Sequence, residues 1–443
     1  MKYHIKTFGC QMNVCDSDWL AQALYIRGWE PAAEEEADAI LVNTCSVREK
    51  PEQKVYSQLG RLKRSNPGAV VGVGGCVAQQ VGERFWERFP HVRLVFGPDA
   101  VRSVPESLER LAADPELRIS LLDFAGSYPE RESVWSLTQQ PAQRFVTIMQ
   151  GCDNFCAYCI VPFTRGRQKS RDSSEVLREC EELVGSGVRE ITLLGQNVNS
   201  YGRDRGEEEI GFAELLERVC SIPGLMRVRF TTSHPKDLDG EVIDAFARLE
   251  ALCPALHLPL QAGSDRILQR MGRKYTKQGY LRLVEELRAA RPDIVLSTDL
   301  MVGFPSETEE DFQQTLDAMQ LSGFDSSFSF KYSDRPGTRA ANMPDKVSEA
   351  VKADRLERLQ ALQEELTARS LQSLQGETVT VLVEGADSRN NGDPASWRGR
   401  EPGGRVVNFS ATDNRDLTGS LVPVRVREVK KHSVYGEVVN EPW

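Results

Sequence analysis

The 443-residue sequence has no apolar run near the ~18 residues that a membrane-spanning helix needs, which excludes a helical membrane protein. Its first residues, MKYHIKTFGCQMN, lack the apolar stretch of a secretory signal, so a cytoplasmic location is expected. Basic charge is not in excess: 55 Lys and Arg stand against 65 Asp and Glu, for a net charge of −10. That excludes nucleic-acid binding through bulk positive charge and leaves the task to local clusters. The clusters are Arg61, Lys63 and Arg64; Arg165, Arg167, Lys169 and Arg171; and Arg425, Arg427, Lys430 and Lys431. Histidine is scarce, with five in all and none between His91 and His234, and no histidine–carboxylate constellation for acid–base catalysis stands out. A complete dinucleotide fingerprint is missing too, because the run Gly72-Val-Gly-Gly-Cys-Val has Val77 where a third small residue belongs. What remains is an ordinary soluble composition, 40% hydrophobic and 27% charged, long enough for roughly two to four domains.

Cysteine is plentiful, at ten residues. In a reducing compartment these read as metal ligands and buried apolar residues rather than disulfides. Cys152, Cys156 and Cys159 are the most informative, in the string GCDNFCAYC at 151–159. At this C-x3-C-x2-C spacing, three thiolates on one loop can ligate three irons of a 4Fe-4S cluster and leave the fourth open. A pure electron carrier fills its cluster with four cysteines, and a structural zinc site wants a fourth Cys or His nearby. An open iron suits a small molecule that chelates it. The spacing resembles that of the radical S-adenosylmethionine superfamily, in which the methionine amino and carboxylate groups take the open iron. Electron transfer to the sulfonium there yields a 5′-deoxyadenosyl radical.

The chain divides into three blocks. Residues 1–122 alternate strands (Lys2–Thr7, Ala39–Asn43, Ala69–Val73) with helices (Asp16–Arg27, Glu52–Ser65, Val81–Arg88), which indicates an α/β domain on a parallel sheet. Residues 123–143 read as a polar linker with Pro129 and Pro141. Residues 144–374 repeat a strand–helix unit six times, with strands Arg144–Gln150, Glu190–Leu194, Arg227–Thr232, Leu256–Leu260, Val295–Val302 and Ser327–Tyr332. Six units fall short of a closed eight-unit barrel, so an open, partial (β/α)6 TIM-like barrel is expected, its functional groups at the carboxyl ends of the strands. The cysteine loop directly follows the first of these strands, and Glu349–Leu374 reads as one long helix. Residues 375–443 are strand-rich and predict a small β-barrel of oligonucleotide-binding type, with Asn390–Gly404 as a flexible loop.

Cys10, Cys45 and Cys76 each come just after a strand of the first block. In a parallel sheet such loops gather along the carboxyl edge, where ligands bind, so the three thiols are expected to converge; the plainer alternative is three buried small hydrophobes. Cys15 falls inside the first helix and reads as a buried thiol, although a fourth ligand is the other possibility. Cys180, Cys220 and Cys253 read as core residues.

At this point the strings TFGCQMNVCDSD (7–18), NTCSVREK (43–50), GGCVAQ (74–79), GCDNFCAYCIVPFTRGRQKSR (151–171), TSHP (232–235), HLPLQAGSDRIL (257–268), GRKYT (272–276) and GFPSET (303–308) can be taken together. They resemble the methylthiotransferase family of the radical S-adenosylmethionine superfamily over nearly the whole chain, and GRVVNF (404–409) with SVYGEV (433–438) resembles its TRAM domain, an RNA-binding β-barrel. The resemblance implies that Cys10, Cys45 and Cys76 hold a second, auxiliary 4Fe-4S cluster. It implies two molecules of S-adenosyl-L-methionine per turnover, one methylating a sulfur at the auxiliary cluster and one cleaved at the cluster of Cys152, Cys156 and Cys159. The reaction implied is methylthiolation of C2 of N6-isopentenyladenosine next to the tRNA anticodon. Partners would be that tRNA, a flavodoxin- or ferredoxin-type electron donor and a sulfur source, with the enzyme a monomer. TFGCQMN and NTCSVREK favour this substrate over the family's other branches, which act on threonylcarbamoyladenosine in tRNA or on a ribosomal protein. A non-catalytic iron–sulfur RNA-binding sensor is the alternative from another class. Tyr158 resembles the superfamily aromatic that meets the cofactor's adenine. Gln196, Asn197, Ser233, His234 and Gln261 follow barrel strands and are candidates for binding cofactor or substrate. Arg165, Arg167, Arg335, Arg425, Arg427, Lys430 and Lys431 are candidates for neutralising RNA phosphates.

Overall fold

Short β-branched runs such as AILVNT and VVGVGG favour strands, and the stretches between them carry one apolar face each, so the N-terminal block layers helices on a sheet. The computed structural model describes every residue except 47–48, 130, 132–140, 207, 388–395, 412–414 and 440–443. Its first sheet is parallel and six-stranded, in the order Glu30–Pro31, Lys2–Phe8, Ala39–Thr44, Val70–Gly75, Val92–Phe96, Ile119–Leu121. Three of these strands are not expected from the sequence; two of them are only two and three residues long, too short to show a period. Helix boundaries also differ, the second helix starting at Glu49 rather than Glu52. The first helix starts at Gln11 rather than Asp16, which makes Cys10 its N-cap. The expected Val81–Arg88 helix is broken at Gly82 (φ +62°), and Cys76 opens the earlier piece, Cys76–Val81. Trp19, Leu24, Leu94, Phe96 and Leu108 fill one face of the sheet, and Ile40, Val42, Leu59, Val73 and Phe85 the other.

The central block has the six expected strands, Gln143–Thr147, Glu190–Leu194, Arg227–Thr231, Ala255–His257, Val295–Val302 and Ser326–Lys331, as two parallel three-stranded sheets. A single bridge, Val228 to Leu252, joins the two beside the third and fourth strands. Helices including Ser173–Gly185, Phe212–Cys220 and Lys277–Ala290 cover the outside, and Leu193, Leu216, Phe230, Phe246 and Tyr280 lie in the shared core. Cys180 and Cys253 are buried and Cys220 is half-buried.

The C-terminal block closes into a five-stranded barrel, Thr378–Ala386, Ser396–Arg400, Val406–Ser410, Val434–Val438, Leu421–Val429. This corrects the expected loop at Asn390–Gly404: 390–395 lie outside the described residues, and Ser396–Arg400 is a strand with Trp397 buried. Glycine here reflects crowding rather than freedom, since a Cβ on Gly399 would lie 2.2 Å from the Leu382 carbonyl oxygen. Arg227 fastens this barrel to the central one, donating to the carbonyls of Arg400 (2.9 Å) and Thr380 (2.7 Å). The N-terminal block is held to the central barrel by Arg144–Asp18 (2.9 Å), Arg165–Asp16 (2.6 Å) and a Lys169–Asp99 ion pair. Within the 123–143 segment, of which 130 and 132–140 lie outside the described residues, Arg131 stands over the Trp19 ring at 4.5 Å.

Candidate active site

Cys152, Cys156 and Cys159 occupy the loop after the first barrel strands, and local backbone chemistry fixes its shape. Gly151 (φ +78°) leads in, and a Cβ there would sit 2.0 Å from the Arg167 carbonyl oxygen, so only glycine fits. Gln196 accepts the Gly151 N–H at 2.6 Å, which ties the loop to the end of the next strand. Cys159 N–H bonds back to the Cys156 carbonyl (3.0 Å), and Ala157 bonds to Met271 and Ala340. Burial raises the Cys152 and Cys159 thiols, the latter to about 12, and the neighbouring cysteines raise them further. Each thiol resists ionising beside another, so a full set of thiolates needs positive charge between them. Arg273 supplies one such charge: it is buried and donates to Cys156 Sγ (3.5 Å), Tyr275 Oη (2.9 Å) and the Pro259 carbonyl (3.0 Å). In the sequence Arg273 stands out only as part of the string GRKYT, and nothing in spacing marks it. Tyr158 packs against the apolar group of Ile267, Leu268, Met271 and Phe304.

The polar candidates lie at the carboxyl ends of neighbouring strands. Asn197, Ser233, His234 and Gln261 are all buried. His234 accepts the Lys236 N–H through Nδ1 (3.2 Å). Burial first, then Arg273, lowers its pKa to about 2, so the ring is neutral and Nε2 carries the proton. Among the described residues, His234 Nε2, Ser233 Oγ, Asn197 Oδ1 and both side-chain polar atoms of Asn199 have no hydrogen-bond partner. Buried polar groups are seldom left unpaired, and a cluster of donors and acceptors beside three thiols fits a polar ligand. Thr232 (φ +73°) and Gln261 (φ +70°) hold left-handed backbone next to them; for a β-branched residue such as Thr232 that costs energy and belongs to functional sites. Asn199, inside the string LLGQNVNSYG (193–202), and Asp237, which binds Asn197 (2.7 Å), are part of this group, and no sequence motif singles out Asp237.

Cys10, Cys45 and Cys76 converge. A Cβ on Gly9 would lie 2.6 Å from Cys45 Cβ. A hydrogen bond from Cys45 is the largest influence on the Cys10 thiol; with Arg165 nearby it outweighs burial and lowers that thiol to about 6. Burial raises Cys76, against the pull of Arg165, and Cys76 also feels Cys10. A lattice of buried amides fixes the loops: Asn13 Nδ2 donates to Asn43 Oδ1 (3.1 Å) and the Thr44 carbonyl (3.0 Å), while Asn43 Nδ2 donates to the Asn13 carbonyl and Ser17 Oγ (2.9 Å each). Cys15 is buried and bonds the Phe145 carbonyl at 3.6 Å, and burial raises its thiol to about 12. Among the described residues, no three His, Cys, Asp or Glu side chains close around a single ion. Thiolates bound to separate irons of one cluster stand wider apart than that, and the residues at both triads fit such a group.

The RNA-binding candidates separate. Arg165 leaves the set: it is only 3% exposed and ion-paired with Asp16, so it cannot reach a phosphate. Arg167 is exposed and doubly bonded to Asp153 (2.7 and 3.1 Å). Arg335 is half-buried. Arg425 and Arg427 stand on the outer face of their strand, where Val424 and Val426 point inward. Lys430 and Lys431 instead line a cavity of about 1480 Å³ beneath the central barrel, together with Arg229, His257, Phe328, Arg400 and Arg405. Two smaller clefts flank the cysteine loop, of about 230 Å³ beside Asn197 and Asp153 and about 780 Å³ beside Phe155 and Tyr275.

Three family descriptions match the chain: the radical SAM superfamily over residues 146–319, the uncharacterized protein family UPF0004 over 2–97 and the TRAM domain over 372–439. A tRNA-2-methylthio-N(6)-dimethylallyladenosine synthase of Nitratidesulfovibrio vulgaris (strain Hildenborough) is 57% identical over 100% of this chain and 99% of its own length. Proteins of the same name from Lawsonia intracellularis and Geobacter sulfurreducens are 50% and 47% identical, over 98–99% of this chain and 97–98% of theirs. Among solved structures, the radical S-adenosylmethionine methyltransferase TsrM of Kitasatospora setae, with cobalamin and a [4Fe-4S] cluster bound, superposes with a TM-score of 0.57 at 16% identity, covering 77% of each chain.

Proposed function

The chain belongs to the family of tRNA-2-methylthio-N(6)-dimethylallyladenosine synthases within the radical SAM superfamily, and from that membership we propose how its residues divide the work. It is a tRNA methylthiotransferase that uses S-adenosyl-L-methionine and a 4Fe-4S cluster, and its product is 2-methylthio-N6-isopentenyladenosine. Cys152, Cys156 and Cys159 would hold the cluster that binds S-adenosylmethionine, and Cys10, Cys45 and Cys76 a second one. Bound there, the clusters and cofactor supply one-electron chemistry strong enough to break an aromatic C–H bond, and the sulfur to replace it. The observation that carries the two-site reading is the meeting of Cys10, Cys45 and Cys76 at one sheet edge, against the segment that follows the second triad.

The chain's own residues do the rest. Arg273 offsets charge at Cys156. Neutral His234, Ser233, Asn197 and Asn199 offer unpaired polar atoms to the cofactor's charged and hydroxyl groups, while Gln196 holds the cysteine loop and Gln261 shapes a strand end. Tyr158 lines the same loop. Arg167, Arg335, Arg425, Arg427, Lys430 and Lys431 would meet phosphates next to the anticodon. An electron donor of flavodoxin or ferredoxin type, a sulfur source, two S-adenosylmethionine per turnover, a monomeric enzyme and a cytoplasmic setting belong to the same reading. None of the described helices is long and apolar enough to cross a membrane. A substrate in the threonylcarbamoyladenosine class or on a ribosomal protein is disfavoured by the three relatives named above, which carry the dimethylallyladenosine name. The test is nucleoside mass spectrometry of tRNA from cells lacking the host enzyme. Expression of this chain restores the methylthio mass to N6-isopentenyladenosine; expression without that mass would overturn the assignment.

A further inference from the structure

Arg165 lies on the turn after Cys159, yet its side chain ends at the other triad. It caps the short helix Val161–Thr164, which packs against the helix opened by Cys76. The guanidinium is 3% exposed. Nη2 binds Asp16 Oδ2 at 2.6 Å, from the helix that Cys10 caps. Cys76 and Cys10 are the next charges it feels. Among the described residues Nη1 and Asp16 Oδ1 have no hydrogen-bond partner at full geometry, and the guanidinium's pull on the Cys76 thiol places a sulfur on that side. Leaving a buried, charged donor unpaired is costly, so an acceptor is called for on the Nη1 side.

We propose that Arg165 is a positioning residue for the auxiliary cluster. Its free N–H donates to a cluster sulfur, and its charge, balanced only in part by Asp16, favours the reduced cluster. This rests on the reading of Cys10, Cys45 and Cys76 as ligands. Hydrogen bonds to sulfur and net charge are the levers by which a protein sets such a cluster's potential. Because the arginine belongs to the radical-cluster segment, the contact also locks the two triads in one register.

The full-length Cys152→Ala, Cys156→Ala, Cys159→Ala variant, reconstituted anaerobically, isolates the auxiliary cluster for a redox titration followed by electron paramagnetic resonance. Adding Arg165→Gln makes the cluster harder to reduce: at fixed potential its reduced-to-oxidised ratio falls about tenfold, ~59 mV for one electron. Arg165→Lys keeps the charge without the fork and falls between. Asp16→Asn removes the opposing charge and shifts the ratio the other way, so the proposal stays testable even where Arg165→Gln loses its iron. Unmoved potentials with iron retained, or a shift of the same sign for both, would show a merely structural pair and overturn it. A parental variant that holds no iron overturns the two-cluster reading, and this proposal with it; a loaded parent with unmoved potentials overturns this proposal alone.

Discussion

The two cysteine triads are brought together by opposite constructions. Cys152, Cys156 and Cys159 lie within one loop whose shape is set by Gly151 and a few local hydrogen bonds. Cys10, Cys45 and Cys76 meet only because three parallel strands end at one edge and buried amides hold their loops together. A local site survives much that happens elsewhere in the chain, whereas a distributed site is only as sound as the sheet beneath it.

The largest effects are expected from removing each triad in turn. Cys152→Ala, Cys156→Ala or Cys159→Ala is expected to abolish reductive cleavage of S-adenosylmethionine, with no 5′-deoxyadenosine above background by chromatography. Replacing Cys10, Cys45 and Cys76 together is expected to leave that cleavage, keep roughly half the iron and end methylthiolation of tRNA. Loss of all iron would make the triads interdependent.

A milder perturbation tests the scaffold alone. Asn13→Ala strands Asn43 Oδ1 and the Thr44 carbonyl, at about 1–3 kcal/mol. Hydrogen exchange is expected to rise through the N-terminal sheet, and iron to be lost from the auxiliary site while the 152–159 loop keeps its own. Arg425→Glu with Arg427→Glu leaves both triads loaded but weakens tRNA binding, and the salt slope falls by ~0.7–0.9 for each phosphate no longer neutralised. A filter-binding titration across salt concentrations reads it.

The smallest effect is in pH. Burial opposes ionisation of Glu34, but bonds from Lys6, Arg61 and Ser65 outweigh it and depress the carboxyl from 4.5 to about 2. An acid with a depressed folded pKa stabilises the fold above its unfolded value, and that share is lost as pH falls from 4.5 towards 2. In iron-free protein, the N-terminal block is therefore expected to melt earlier as pH drops through this window, by on the order of 2 kcal/mol. Glu34→Gln removes most of that dependence, which circular dichroism melts at a series of pH values would show.

How much of this was legible follows the same division. The 152–159 triad is a matter of spacing and was readable outright, as were all six barrel strands to within a few residues. The meeting of Cys10, Cys45 and Cys76 was readable as topology, because parallel strands must end together. What escaped was contact made by long side chains across the fold. Arg273 is chemically important but carries no periodic or spacing signal. Arg165 reads as a phosphate contact within a basic run, and its partner Asp16, far away in sequence, reveals that it is buried. The strand Ser396–Arg400 was hidden by its glycine and arginines, residues that usually mark a loop.

The grip of Arg227 on the Thr380 and Arg400 carbonyls has a consequence for dissecting the molecule. The C-terminal barrel is a floor as well as an antenna: with Arg229 reaching the Glu401 carbonyl at 3.2 Å, it lies under the central barrel and lines one side of the large, open cavity. Cutting it away would remove one wall of that cavity and strand two arginines at the foot of the strand that ends beside Ser233 and His234. A deletion there tears out masonry along with RNA contacts, so charge reversal at Arg425 and Arg427, on the outer wall, is the cleaner cut.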